Sequence, residues 1–285
     1  MPSTQEPSTI DSTIAQTAKR LAAVSDSARL EAEILLARAI DMPRSFLFAH
    51  PDDELDEDSI ARLNDTVNRR LAGEPMAYIQ GVKEFWSMEL MVSPATLVPR
   101  PETELLVDLA IRTVPRRAEW NILDLGTGSG AIALAVAREC PSCFVTAIDS
   151  DADALAIAAQ NVRHHGFGNV ECLLGDWTEP VAAREFELIL SNPPYVADND
   201  AALDDLRAEP RHALAAGHDG LDAIRRLIVD CRTVIADDGT LILEHGFDQR
   251  DAIAELLQDA GWRDIQCVDD YAGHPRVTTA RFTKT

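Results

Sequence analysis

Apolar residues in the first quarter of the chain recur at helical intervals. Leu21 and Val24 are three positions apart, and Leu30 and Ile34 are four positions apart. Residues with this spacing share one face of a helix. The pattern extends from residue 8 to about residue 73 and predicts that residues 1–75 form a small helical domain.

An acidic run, Asp52–Asp58, holds six acids in seven positions. It precedes the amphipathic stretch Ile60–Leu71, and carboxylates are favourable at the N-terminus of a helix because of the helix dipole. We interpret the run as the solvated start of a helix.

Residues 76–99 have a different pattern. The helical spacing gives way to three β-prone pieces, Tyr78–Gln80, Phe85–Trp86 and Leu90–Val92. They predict a β-hairpin that links the helical domain to the rest of the chain.

Strand and helix patterns alternate from Asn121 to the end of the chain. The predicted strands are Asn121–Leu125, Phe144–Ile148, Val170–Leu174, Phe186–Leu190, Thr240–Glu244, Ile265–Val268 and Val277–Phe282, and the predicted helices are Ala131–Arg138, Asp151–His165, Leu221–Ile235 and Asp251–Ala260. This alternation predicts an α/β domain over residues 100–285 with a mostly parallel, doubly wound sheet. Such sheets bind ligands beyond the carboxyl ends of their strands, where the strand order reverses.

Charge is the unusual feature of the composition. The 285 residues include 48 acidic and 26 basic side chains, which gives a formal net charge of −22. A surface this negative repels phosphate backbones. The charge therefore argues against stable docking on nucleic acid or on an anionic membrane, and it favours a basic protein partner.

Five cysteines, an odd number in a long chain, argue against a disulfide framework. The first residues lack the cationic start and apolar core of a secretory signal. The longest apolar run that we find, Ala131–Ala137, is far shorter than the ~20 residues of a membrane span. We expect a soluble, cytoplasmic protein with reduced thiols.

Three glycines separate the first predicted strand of this domain from its helix, in the sequence Asp-Leu-Gly-Thr-Gly-Ser-Gly. Glycine lets the backbone turn tightly and lets a ligand approach closely. The spacing is neither that of the phosphate-binding loop with its lysine nor that of the G-x-G-x-x-G dinucleotide fingerprint. The candidate cofactor-binding residues here are Gly126, Thr127, Gly128, Ser129 and Gly130, which we call the glycine loop.

Acidic residues follow the next two strands. Asp149 ends the second strand, where a carboxylate can accept hydrogen bonds from both hydroxyls of a ribose. Asp176 and Trp177 follow the third strand, and a carboxylate beside an aromatic ring suits the amine and the ring of adenine. With the glycine loop, these residues predict a nucleoside site that makes no provision for phosphate.

The tetrapeptide Asn192-Pro193-Pro194-Tyr195, which we call the amide loop, follows the fourth strand. Its prolines fix the backbone and hold the Asn192 side-chain oxygen and a main-chain carbonyl as two acceptors. A planar NH₂ group has two hydrogens for such a pair, and Tyr195 offers a face on which a flat group can stack. The pattern fits a planar amide or amidine nitrogen held next to the methyl group of S-adenosylmethionine.

The glycine loop, Asp149 and the amide loop resemble class I S-adenosylmethionine-dependent methyltransferases that act on nitrogen. More narrowly, the chain resembles the HemK/PrmC family, which methylates the glutamine amide in the Gly-Gly-Gln motif of peptide-chain release factors. Three further stretches carry this narrower resemblance: Pro75–Gly81 leading into Glu84-Phe85, Pro99–Glu104 (P-R-P-E-T-E), and Glu209-Pro210 before Ala213-Leu214.

This resemblance implies a Rossmann-like methyltransferase sheet, mostly parallel with one antiparallel strand, and an N-terminal domain that recognises the substrate. It implies S-adenosylmethionine as cofactor, S-adenosylhomocysteine as product, no metal, and a release factor as protein partner; we expect a monomer. The candidate catalytic residues become Asn192, Pro193 and Tyr195; the substrate-binding set adds Pro194, Arg100 and Glu102, and Asn192 also belongs to the cofactor-binding set.

The residues alone leave other interpretations open. Adenine-N6 methyltransferases of DNA or RNA also use N-P-P-Y, because a flipped base presents the same NH₂ geometry, but they need a cationic groove and the sequence shows no basic stripe. A sister family methylates a glutamine of a ribosomal protein. A module that binds S-adenosylmethionine without catalysis would not need an intact amide loop.

Three remaining groups are interpreted as structural. The pair Cys140 and Cys143 forms one C-x-x-C without a second pair. His164 and His165 end a predicted helix, where cationic side chains are favourable. His245 follows a strand end, where it could line the pocket, but a structural role is favoured.

Overall fold

The computed structural model describes residues 8–284 and divides the chain into two compact units, Met1–Gln80 and Gly81–Thr285. The prediction that the chain starts without a secretory signal falls on residues that lie largely outside the described part. Within residues 8–284, no helix is both long enough and apolar enough to cross a bilayer.

The first unit is helical in its described part. Apolar side chains from its helices, including Leu35, Leu36 and Val67, form a buried cluster. The helices are α1 (Ile10–Leu21), α2 (Ala28–Ala39), α3 (Arg44–Ala49), α4 (Glu57–Leu71) and α5 (Met76–Gln80). The acidic run leads into α4 as predicted, because the Asp56 carboxylate caps this helix by accepting the backbone N–H of Ser59 at 2.6 Å.

Two local predictions in this unit are wrong. The segment Tyr78–Gln80 lies in α5 and not in a strand, because the carbonyl of Pro75 accepts the N–H groups of Tyr78 and Ile79 and closes a helical turn. Tyr78 and Ile79 are both buried, and burial overrides β-propensity. Val24 lies beyond the end of α1 and is exposed, so its spacing from Leu21 marks no shared helical face.

The second unit begins with the predicted β-hairpin. Strands β1 (Val82–Phe85) and β2 (Met88–Met91) pair antiparallel. Trp86, predicted within a strand, instead forms the turn with Ser87, and both residues have positive φ values of 50° and 54°. A two-residue turn of this hand matches the twist of the paired strands.

A seven-stranded sheet, counted over the described residues, forms the body of the second unit. Its strands are β3 (Asn121–Leu125), β4 (Phe144–Asp149), β5 (Val170–Leu174), β6 (Phe186–Ser191), β7 (Ile235–Glu244), β8 (Arg263–Asp269) and β9 (Pro275–Phe282). The strand order is β5-β4-β3-β6-β7-β9-β8. β9 pairs antiparallel with both β7 and β8, and the other neighbouring pairs of this sheet are parallel, which confirms the predicted fold class.

Helices cover both faces of this sheet. Ile122 and Leu123, which are successive residues of β3, belong to two different apolar clusters, as expected because successive strand residues face opposite sides of a sheet. The first cluster includes residues of α6 and α7, and the second includes residues of α10 and α11. The helices of this unit are α6 (Thr103–Thr113), α7 (Ala131–Glu139), α8 (Ala152–His165), α9 (Ala202–Asp205), α10 (Asp222–Val234) and α11 (Arg250–Asp259); α6 and α9 were not predicted.

The strand order reverses between β3 and β6. The chain leaves β3 towards β4 on one side and leaves β6 towards β7 on the other. The hydroxyl of Ser191 donates to the carbonyl of Leu125 at 2.7 Å and joins the carboxyl ends of these two strands. The glycine loop and the amide loop start at this point, which is where doubly wound sheets bind ligands.

Candidate active site

A cleft of ≈ 850 Å³, part of it open to solvent, lies at these strand ends. The predicted site residues that line it are Arg100, Gly126, Thr127, Gly128, Ser129, Asp149, Trp177, Asn192 and Pro194. The fold therefore brings candidates for both cofactor and substrate into one cavity.

The glycine loop is shaped by its backbone. Gly126, Gly128 and Gly130 have φ values of 73°, 55° and 84°, which are strained for residues with side chains. Gly130 does not line the cleft: a Cβ there would lie 2.7 Å from a methyl group of Leu134 and 3.4 Å from the Cβ of Ala158. The backbone at Gly130, which precedes α7, therefore approaches Ala158 of α8 closely.

Asp149 links the glycine loop to the following strand. Its carboxylate accepts the backbone N–H of Gly128 at 2.8 Å and that of Asp151 at 2.9 Å. Burial raises the pKa of Asp149, and these two hydrogen bonds oppose the rise. A carboxylate offers about four acceptor positions, so the group retains capacity for the hydroxyls of a ribose.

Trp177 lines the cleft, but its neighbour Asp176 does not. Trp177 lines both the cleft and a small adjoining pocket of ≈ 230 Å³, whereas Asp176 lines only the small pocket. The carboxylate of Asp176 accepts a hydrogen bond from Arg226 at 2.7 Å. An amine that reached Asp176 would share it with this guanidinium.

Asn192 presents an acceptor in the cleft. Its side-chain nitrogen Nδ2 donates to the Thr103 hydroxyl at 3.1 Å, so the Oδ1 atom remains available. Pro193 is buried behind it. Tyr195 is half-buried, does not line the cleft, and donates its hydroxyl to Glu244 at 3.4 Å.

Glu244 and Gln249 form hydrogen bonds with Tyr195 of the amide loop. Glu244 is 1% exposed, and its Oε2 atom has no hydrogen-bond partner among the described residues. Burial raises the pKa of Glu244 to about 7, while the Thr103 hydroxyl and the Arg276 guanidinium limit the rise. Burial also raises the pKa of Tyr195, so its phenol is neutral. Gln249 donates its Nε2 to the Tyr195 carbonyl at 2.9 Å.

The segment Pro99–Glu104 connects several elements. Arg100 lines the cleft and pairs with buried Glu209, whose second oxygen accepts the N–H of Val98 at 3.0 Å. Glu104 accepts the N–H of Trp86 in the hairpin turn at 3.0 Å. Glu102 is exposed and lies outside the cleft lining.

The residues interpreted as structural lie apart from the cleft lining. His245 is buried between the Gly246 carbonyl and the Thr278 hydroxyl, each 2.8 Å from a ring nitrogen, and burial lowers its pKa. Burial raises the pKa of the Cys140 thiol to about 11. His165 contacts the carbonyl of Glu89 at 2.9 Å.

Four polar residues of the site were not predicted: Thr103, Glu244, Gln249 and His212. Thr103 lies within the P-R-P-E-T-E stretch, and Glu244 ends a predicted apolar strand, so both positions carried a signal. His212 lines the cleft 3.6 Å from Asp151, and Gln249 contacts the amide loop. His212 lies inside the stretch from Glu209 to Leu214, so its position also carried a signal, whereas nothing in the sequence singles out Gln249.

The comparisons with known proteins agree with this arrangement. Residues 12–81 match the family model for the PrmC N-terminal domain, and residues 103–221 match the methyltransferase small domain. The chain is 44% identical over 263 residues to the release factor glutamine methyltransferase of Coxiella burnetii, covering 92% of this chain and 95% of that protein. The chain belongs to the release factor glutamine methyltransferase family. The family resemblance is thus confirmed, and the protein is a methyltransferase.

Other relatives extend this result. The release factor glutamine methyltransferase of Escherichia coli (strain K12) is 41% identical over 260 residues, which cover 90% of this chain and 94% of that protein. A methyltransferase structure from Pyrococcus furiosus matches with a TM-score of 0.54 and 19% identity, covering 78% of this chain and all of that one. This last likeness supports the fold alone.

Proposed function

We propose that the enzyme transfers a methyl group from S-adenosylmethionine to the side-chain amide nitrogen (N5) of the glutamine in the Gly-Gly-Gln motif of peptide-chain release factors. The observation that carries the proposal is the orientation of Asn192, which gives its Nδ2 to Thr103 and keeps its Oδ1 as an acceptor. This acceptor shares a cleft with the glycine loop and Asp149.

The residues of the cleft fit S-adenosylmethionine. The left-handed glycines at 126 and 128 keep side chains away from the cleft floor, and the Asp149 carboxylate is fixed by two backbone N–H groups. These residues would hold the nucleoside, with Trp177 beside the adenine. When bound, the cofactor supplies an electrophilic methyl group on its sulfonium.

Asn192 and Pro193 would orient the glutamine amide. An amide nitrogen is a poor nucleophile because its lone pair is delocalised into the carbonyl. Hydrogen bonds from both amide hydrogens, to Asn192 Oδ1 and to the Pro193 carbonyl, would return electron density to nitrogen and direct it at the methyl group. Alignment of two reactants can lower a barrier by ~7–11 kcal/mol, so no covalent intermediate is required.

The remaining parts of the proposal concern the partner. We assign recognition of the release factor to the N-terminal helical unit together with Arg100 and Glu102, acting in the cytoplasm as a monomer. The formal net charge of −22 suits a basic, RNA-binding substrate protein.

A methyl-transfer assay tests the proposed function. Labelled S-adenosylmethionine is mixed with the enzyme and a release factor that carries either Gly-Gly-Gln or Gly-Gly-Ala, with duplex and single-stranded nucleic acid as separate acceptors. We expect label on the Gly-Gly-Gln protein alone. Equal labelling of the alanine variant, or label on nucleic acid only, would refute the assignment.

A further inference from the structure

Thr103 is the polar neighbour that contacts the Asn192 amide. It is the first residue of α6 and is 4% exposed. Its hydroxyl oxygen accepts Asn192 Nδ2 at 3.1 Å across 89 positions of sequence. Among the described residues, Thr103 is the one hydrogen-bond partner of the Asn192 side chain.

An asparagine amide can be held in two orientations. One end accepts hydrogen bonds and the other donates them, and the two ends have nearly the same shape. Only the orientation with Oδ1 towards the cleft can accept a substrate N–H; the flipped amide would oppose it with a second donor. A hydroxyl alone does not choose between them, because it can either donate or accept.

Glu244 favours one of these two orientations of the Asn192 amide. Its carboxylate is buried, and when ionised it is an acceptor only. The Thr103 hydroxyl lowers the pKa of this carboxylate, as a nearby donor does, and the Oε2 atom has no hydrogen-bond partner among residues 8–284. While Glu244 is ionised, a hydroxyl that gives its proton towards it has only lone pairs to offer Asn192, so the amide turns its NH₂ group to Thr103.

We propose that Thr103, oriented by Glu244, is a positioning residue that fixes the Asn192 amide with Oδ1 towards the substrate. The inference rests on the proposed function and assigns to this threonine of the P-R-P-E-T-E stretch a role in catalysis without contact with the reacting atoms. It predicts that the hydroxyl, and not the shape of the side chain, is what the reaction needs.

The test compares Thr103→Val, which keeps the shape, with Thr103→Ser, which keeps the hydroxyl. In Thr103→Val we expect kcat for Gly-Gly-Gln methylation to fall on the order of 10- to 100-fold, with cofactor affinity within about twofold. Thr103→Ser should stay within about threefold of the wild type. Thr113→Val is the matched control, because Thr113 lies on the same helix and also loses one hydrogen bond, to Leu109.

A double-mutant cycle with Asn192→Ala separates positioning from general structural damage. We expect Thr103→Val to have almost no further effect on kcat once Asn192 is alanine. An equal loss in both backgrounds, or an unaffected Thr103→Val, would overturn the inference while leaving the proposed function intact. If Thr103→Val does not fold, Glu244→Gln takes its place in the cycle, because its amide no longer forces the direction of the hydroxyl. Absence of methylation by the wild-type enzyme would overturn both.

Discussion

The glycine loop and the amide loop lie side by side at the strand ends, but they are held in different ways. The glycine loop is fixed by backbone conformation and by the neighbouring strand end, including Asp149 at a separation of 21 residues. The amide loop is fixed by side chains of Thr103, Gln249 and Glu244, at separations of 89, 54 and 49 residues. The contacts that hold the glycine loop, on the cofactor side of the cleft, are therefore close in sequence. Those that hold the amide loop, on the substrate side, come from distant parts of the domain.

Asn192→Ala, a change in the amide loop, should cause the largest loss of kcat. Removing one preorganised polar contact typically costs on the order of 10²–10³ in rate, and we expect a loss of this size in kcat. Affinity for S-adenosylmethionine, measured by calorimetry, should change far less. A near-normal kcat would show that the Oδ1 atom is not the acceptor that matters.

Asp149→Ala should affect the cofactor side alone. Hydrogen bonds to a charged group are worth about 1.5–3 kcal/mol, so we expect the dissociation constant for S-adenosylmethionine to rise on the order of 10- to 100-fold. The rate at saturating cofactor should be nearly unchanged. Glu255→Ala, which removes an exposed carboxylate from α11, is the control; a matching loss there would point to charge in general.

Gln249→Leu should cause the smallest of the three losses. It should affect the amide loop without affecting the glycine loop. The Tyr195 carbonyl and the Gly246 N–H, both bonded to Gln249 at 2.9 Å, would lose their partner. We expect kcat to fall by about 3- to 10-fold through misalignment of the amide loop, with unchanged cofactor affinity. Gln258→Leu, at an exposed position of α11, the helix that follows Gln249, is the control. A weakened cofactor affinity in Gln249→Leu would contradict the division between the loops.

The difference between local and long-range contacts explains which parts of the site could be predicted from the sequence. The predicted strands, and their alternation with helices along the chain, follow from local patterns. The glycine loop and the amide loop could be recognised because each is a contiguous stretch of sequence. Asp149 could be placed because it follows a strand directly. The parallel sheet then brings the ends of β3, β4 and β6 together without further information.

The supporting contacts could not be predicted in the same way. Gln249 is distant in sequence from Tyr195, and no local pattern reports which carbonyl a buried amide will meet. Thr103 and Glu244 also act through partners far along the chain. Tyr78–Gln80 shows the related limit for secondary structure, because burial in α5 outweighs the β-propensity of its side chains.

The pair between Arg100 and Glu209 has a consequence for how the protein is made. The two residues are 109 positions apart, so at a synthesis rate of about 5–20 residues per second Arg100 waits roughly 5 to 20 s for its partner. The glycine loop and Asp149 emerge from the ribosome during that interval. A nascent chain that stops before Glu209 would contain the cofactor motifs but would lack His212 and Ala213, which also line the cleft, so the cleft is completed late in translation.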